Sequence, residues 1–145
     1  MTLTEIKNQV MFQTNNDSED VGDFLPALTD YINEAYDRLV VVWAHQHLIP
    51  GDEDWPPLRE YGESEPATDP PVDVPRTPEW THRFLADWAT WLVYRNGNPQ
   101  KQQRGYAFRE SFERMLASVA GEGGESGIDE DGKQKQYKFF INIPV

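Results

Sequence analysis

Residues 76–121, RTPEWTHRFLADWATWLVYRNGNPQKQQRGYAFRESFERMLASVAG, decide the fold. They read as two helices joined by a tight turn. Thr77 is placed to N-cap the first, with Pro78 at the first helical position, where its missing N–H costs nothing. Residues 79–96 contain no Gly or Pro. Trp80, Phe84, Trp88 and Trp91 fall at i, i+4, i+8 and i+11, with Leu85, Ala89 and Leu92 beside them. Gly97 suits the left-handed C′ position that ends a helix. Asn98 then caps a second helix with Pro99 in its first turn, and Phe108, Phe112, Met115, Leu116 and Val119 share one face of it up to Gly121. Gly105 weakens the expectation of helix in the first two turns. So much aromatic surface is not left in water, and the rest of the chain is expected to pack around this hairpin.

Upstream, Thr2 with Glu5 forms a capping box, and Leu3, Ile6 and Val10 stripe a short first helix. Residues 15–20 are a polar, acidic break. Asp23 is placed to cap a longer helix with Pro26 in its first turn. Its stripe is Leu25, Leu28, Ile32, Ala35, Leu39, Val42 and Trp43, flanked by Tyr31 and Tyr36. The run Val40, Val41, Val42 is strand-like, but the long periodic context makes it helix, ending near Leu48 before Pro50 and Gly51. The expected core is Leu28, Ile32, Leu39, Trp43, Phe84, Trp88, Leu92, Phe112 and Leu116.

Residues 50–76 differ in kind, holding seven of the eleven prolines and eight acids against Arg59 and Arg76. Such composition does not build a core. A solvated excursion is expected, its first half pinned by Trp55, Leu58 and Tyr61; an arm contacting another subunit is the other reading. Residues 122–132 are a Gly-rich, acidic linker. In residues 133–145, Tyr137, Phe139, Ile141 and Ile143 alternate with Lys138, Phe140 and Asn142, a strand signal closed by Pro144. This strand either pairs with part of the proline-rich segment or adds to a sheet of another protein, the favoured use. The expected fold is mainly α. A four-helix domain spans residues 1–121 with its acidic proline-rich loop, and residues 122–145 form a linker and an extended β-strand arm.

The chain has 145 residues, a net charge of −12 and a pI near 4.5, which argues against broad nucleic-acid coating and against anionic membranes. It lacks cysteine, so disulfides and thiolate metal sites are excluded. The amphipathic start with Glu5 is not a signal peptide, and no apolar run is long enough to span a bilayer. No P-loop, nucleophile elbow, H-E-x-x-H or Rossmann fingerprint is present. His45 and His47 at i, i+2 point to different faces of a helix, with His82 on another helix, so exposed or edge histidines are expected and not a metal site. Asp20, Asp23, Asp30, Glu34 and Asp37 fall at the spacings chance gives so acidic a chain. Neither an enzyme nor a cofactor is expected. The one charge anomaly is the turn of the hairpin, where Arg95, Lys101, Arg104 and Arg109 stand with no acid among residues 95–109, and Tyr106 and Phe108 are interleaved. Phosphate contact, docking on an acidic partner and plain solvation all suit it. A small helical DNA-binding regulator is the alternative function class.

The opening MTLTEIKNQV, the stretch FLPALTDYINEAYDRL and the hairpin WTHRFLADWATWLVYRNGNP, in this order, resemble the head–tail adaptor (head-completion, or connector) proteins of tailed bacteriophages. That resemblance implies a structural virion protein of the phage neck, made in the host cytoplasm. It implies a homo-oligomeric ring, a dodecamer, beneath the portal protein. The ring extends the DNA channel, lets double-stranded DNA pass without specific contact, and offers a surface to the next neck or tail component. It also implies that the C-terminal segment reaches the portal and adds a strand there, with Tyr137, Phe139, Phe140, Ile141 and Ile143 as the partner-binding residues. An acidic channel wall suits DNA that must slide without sticking.

Overall fold

In a computed structural model the described residues are 1–14, 24–46 and 55–122. They form four α-helices, α1 (Leu3–Gln13), α2 (Leu28–His45), α3 (Glu79–Arg95) and α4 (Pro99–Glu122), with a 3-10 turn at Leu25–Ala27. The fold is mainly helical, and no strand occurs among the described residues. The expected strand at residues 133–145, with Tyr137, Phe139, Phe140, Ile141 and Ile143, lies outside them, as do Asp23, His47 and Leu48.

The central element is α3. It packs against α1, α2 and α4, most extensively against α4, so it has no solvent face of the usual kind. Thr81, His82, Leu85, Ala86, Trp88 to Leu92, Val93 and Tyr94 are all buried. The expected aromatic stripe is corrected at its start: Trp80 is 47% exposed and Phe84 only half-buried. With neighbours on three sides, α3 buries Leu85, Ala86, Ala89 and Leu92, all fully enclosed, and the large rings at its first turn fall outside that contact.

Gly105 is what lets α4 approach. A Cβ there would stand 2.7 Å from Trp91 Cε3 and 2.9 Å from Tyr94 Cβ. The helix is continuous through Gly105, so this residue marks a close helix crossing, not a weak first turn. Trp91 and Tyr106 stack beside the crossing with centroids 5.2 Å apart, and Trp88 lies on Phe112 at 5.1 Å. Arg38 of α2 closes that cluster, its guanidinium 4.4 Å from the Trp88 ring and 5.5 Å from that of Phe112, a contact worth about 0.5–2 kcal/mol.

The hairpin turn differs from expectation in two places. Gly97 is not in the left-handed region; the space a Cβ would need is taken by the Lys101 side chain, 2.8 Å away. The open carbonyls of Arg95 and Gly97 are met instead by Gln102 Nε2 at 3.1 and 3.3 Å. Thr77 is not an N-cap, since α3 begins one residue later on Pro78. Thr77 is buried, its carbonyl 2.7 Å from His82 Nε2 and its hydroxyl accepting from Thr81 at 2.8 Å. Asn98 does cap α4, accepting from Lys101 N at 3.0 Å.

On the hairpin sit the first two helices. The capping box of α1 forms as expected, Glu5 N donating to Thr2 Oγ1 at 3.2 Å and Thr2 N to Glu5 Oε1 at 2.9 Å. Leu3, Ile6 and Val10 are fully buried. Helix α2 buries Leu28, Ile32, Ala35, Tyr36 and Leu39. Leu25 is 48% exposed because Pro26 starts the segment as a 3-10 turn, off the α-helical register. Trp43, Phe84 and Leu116 of the expected core are partly buried at its margin.

The described part of the proline-rich segment is mostly exposed, as expected, and is held to the body at defined points as a strap. Asn33 of α2 imitates a strand partner, its Oδ1 accepting from Leu58 N at 2.7 Å and its Nδ2 donating to Leu58 O at 2.9 Å. Leu58 is buried, as expected of an anchor. Arg59 N donates to Val72 O, and Leu3 N to Asp73 O. The Tyr61 hydroxyl gathers Thr68 N at 3.0 Å and Val72 N at 3.3 Å. Arg59 grips Glu65 through two 2.7 Å contacts and, with Gly62 N, holds that carboxyl down to about 2. The strap closes where Arg76 N donates to Tyr36 Oη at 3.0 Å.

The crossing gives a direct test. Gly105→Val is expected to destabilise the chain by about 1–3 kcal/mol through overpacking against the buried Trp91 ring and Tyr94 Cβ. Gly62→Ala, whose added Cβ would meet nothing closer than 3.7 Å, is expected to stay within about 0.5 kcal/mol. Urea midpoints at unchanged slope measure both.

Candidate functional site

Each expected site residue has a definite place. Arg95 is exposed in the last turn of α3, where its charge suits the helix dipole. Lys101 and Arg104 follow in the first two turns of α4, Lys101 half-buried and Arg104 exposed. Arg109 is drawn away from this group. It pairs with Glu113 at 3.1 Å and lies 5.5 Å from the centre of the Trp91 ring. Further along, Arg114 pairs with Glu110 at 2.5 Å. The basic island is therefore three residues at the turn, followed by two ion pairs along α4.

Of the histidines, His45 is exposed. His82 is not an edge residue: it is 2% exposed, against the expectation. Its Nε2 faces Thr77 O at 2.7 Å and its Nδ1 faces the Met1 amino group at 2.8 Å. A carbonyl only accepts, so Nε2 carries a proton. Burial lowers its pKa below the ordinary value of 6.5, although Thr77 and Glu79 act in the other direction. Among the described residues no group of three or more His, Asp or Glu is set to hold a metal ion.

Periodicity alone gave no sign of Asp87. This residue interrupts an apolar run of α3 and binds three helices together. It accepts from Gln13 Nε2 of α1 at 2.8 Å and from Ser111 Oγ of α4 at 2.9 Å. Gln13 in turn accepts from Thr90 Oγ1 at 2.6 Å. Burial raises the Asp87 pKa despite these donors and the nearby Arg83. The signal available in sequence was a lone acid between Ala86 and Trp88.

Two open grooves flank this network on the outside of the hairpin. One, of about 350 Å³, is lined by Gln9, Gln13, Arg83, Asp87, Phe108 and Ser111. The other, of about 450 Å³, follows the α3–α4 seam between Trp80, Phe84, Met115 and Ser118, with the Glu110–Arg114 pair on its α4 wall. Trp80 meets Phe84 edge-on at 6.4 Å, and Arg83 lies 4.8 Å from the Phe84 ring centre. Other large apolar side chains stand out on the remaining elements: Phe12 on α1 is 76% exposed, Val41 on α2 60% and Tyr106 on α4 46%. No helix among the described residues is long and apolar enough to cross a membrane.

No family model matches the chain, and no curated protein or solved structure matches it either.

The buried imidazole sets a pH dependence with a definite sign. The unfolded ring takes up a proton near 6.5, but the folded ring resists it, so the contribution of His82 is full above that pH. It is lost as pH falls from there through the depressed folded value. Asp87 acts with the opposite sign, but nearer the carboxylate range. Between pH of about 8 and 5 the melting temperature is expected to fall, and His82→Gln, which can still donate to Thr77 O, is expected to flatten that slope. An unchanged slope in the variant contradicts the assignment.

Proposed function

We propose that this chain is a structural, non-enzymatic subunit of a phage neck, forming an oligomeric ring between portal and tail. One observation carries the reading, the order of the elements: a short helix, a long helix, an excursion and a helical hairpin, which is the order the resemblance implies. Phe12, Val41, Trp80 and Tyr106 stand exposed, one on each helix, and in a ring they meet neighbouring subunits. In this reading the net charge of −12 lines a channel through which DNA slides, since like charge prevents tight phosphate contacts. Residues 133–145 add a strand to the portal, with Tyr137, Phe139, Phe140, Ile141 and Ile143 fixing register.

Arg109 and Arg114 are each occupied by a glutamate on the same helix, which leaves the DNA-binding alternative a narrow positive surface. The test is the mass of the purified chain, alone and mixed with portal and neck proteins from its own genome neighbourhood. Entry into a ring of defined stoichiometry with those proteins is expected. A monomer or dimer that ignores them and binds duplex DNA with a steep salt dependence contradicts the reading and favours a regulator.

A further inference from the structure

The seam groove ends beside Ser118, one turn before α4 terminates at Glu122. Twenty-three residues follow in the chain, and they contain an apolar alternating segment, residues 137–143. Extended, Tyr137 to Ile143 covers about 20 Å. The α4 wall of the groove, Ala107 to Ser118, is about 16 Å long. The fourteen intervening residues reach up to about 45 Å, enough to turn back along α4 in either direction. Residues 133–145 carry four large apolar side chains on alternate positions, Tyr137, Phe139, Ile141 and Ile143. The other long stretches outside the described residues, 15–23 and 47–54, are acidic and carry no aromatic side chain.

We propose that in the free subunit residues 137–143 lie in the α3–α4 groove of their own chain. Alternate side chains of Tyr137, Phe139, Ile141 and Ile143 rest on Trp80, Phe84 and Met115. Tethering makes this contact intramolecular, at an effective concentration in the millimolar range, so it forms ahead of any contact between free copies. The exposed ring of Trp80 is the lip of the groove, and its place outside the core is explained by this occupant. The proposal does not rest on the neck reading. In a neck, the same segment is held on its own body until a stronger acceptor takes it.

The absence of native cysteine permits a clean test on the full chain. Val145→Cys carries a nitroxide spin label, and the methyl of Met115 and the indole N–H of Trp80 are followed by NMR. Expected is loss of both signals in the labelled chain, with the methyls of Val41 on α2 retained. Trp80→Ala, a truncation at a half-exposed site, is expected to restore the Met115 signal while the chain stays folded. Retained Trp80 and Met115 signals overturn the proposal, as does uniform loss that includes Val41. In a mixture of spin-labelled chain and isotope-labelled chain without a spin label, loss at Met115 assigns the groove to a second copy and overturns it too.

Discussion

The contact between the Trp91 ring and the bare backbone of Gly105 is the constraint on which the other packing depends. It brings α4 close enough to α3 for Trp88 to reach Phe112 and for Ser111 to reach Asp87. With one side of α3 closed in this way, α1 and α2 cover the others. A helix enclosed on three sides must satisfy most of the polar groups it carries, although the buried indole N–H of Trp88 is left without a partner. Thr81 bonds back to Pro78 O, His82 to Thr77 O, Thr90 to Gln13, and Asp87 to both Gln13 and Ser111. The bonds of Asp87 and Thr90 fix α1 and α4 in register. The apolar contacts supply the stabilisation, and the polar ones restrict which arrangement receives it.

The strap solves a different problem. A segment so rich in proline has few N–H groups to donate and cannot lie in a helix. Its backbone is met by side chains instead, Asn33 at Leu58 and Tyr61 at Thr68 and Val72. Its ion pairs, Arg59 with Glu65 and Lys7 with Glu60, are surface pairs and contribute little in salt. What holds the strap is buried Leu58 and the hydrogen bonds at both ends. It runs against α1 and α2 through Leu3, Lys7, Asn33 and Tyr36. The α3–α4 groove is lined by hairpin residues and none from the strap, which keeps that face open for a partner or for the tail.

Much of the helical layout was legible because three of the four helices have a single buried stripe. Leu3, Ile6 and Val10 follow one, as do Leu28, Ile32 and Leu39, and the spacing of Phe112, Met115 and Val119 is equally regular. The reading failed where an element answers to more than one neighbour. Trp80 follows the spacing of Trp88 but lies beyond the end of the crossing. Gly105 looked like a helix breaker because close approach of a second helix leaves no mark in a single stretch. Thr77 looked like a cap because α3 starts one residue later than the sequence suggests, and His82 looked like an edge residue because its contact with Met1 joins distant parts of the chain. An exposed excursion pinned at Leu58 was legible, but the partner of that anchor was not: Asn33 and Leu58 are 25 residues apart, and nothing local pairs them. Among the candidate site residues, Arg109 left the turn group for Glu113 and the Trp91 ring, and Asp87 required three helices to be seen together.

If α3 is the element on which the body is assembled, its backbone opens only when the whole domain unfolds. Native-state hydrogen exchange on the purified chain measures this directly. The amides from Leu85 to Tyr94 are expected to exchange most slowly, with the same free energy as global unfolding. The strap and α1 are expected to open at lower cost. Exchange of the α3 amides by a local opening, with α1 or α2 protected longer, would contradict the account.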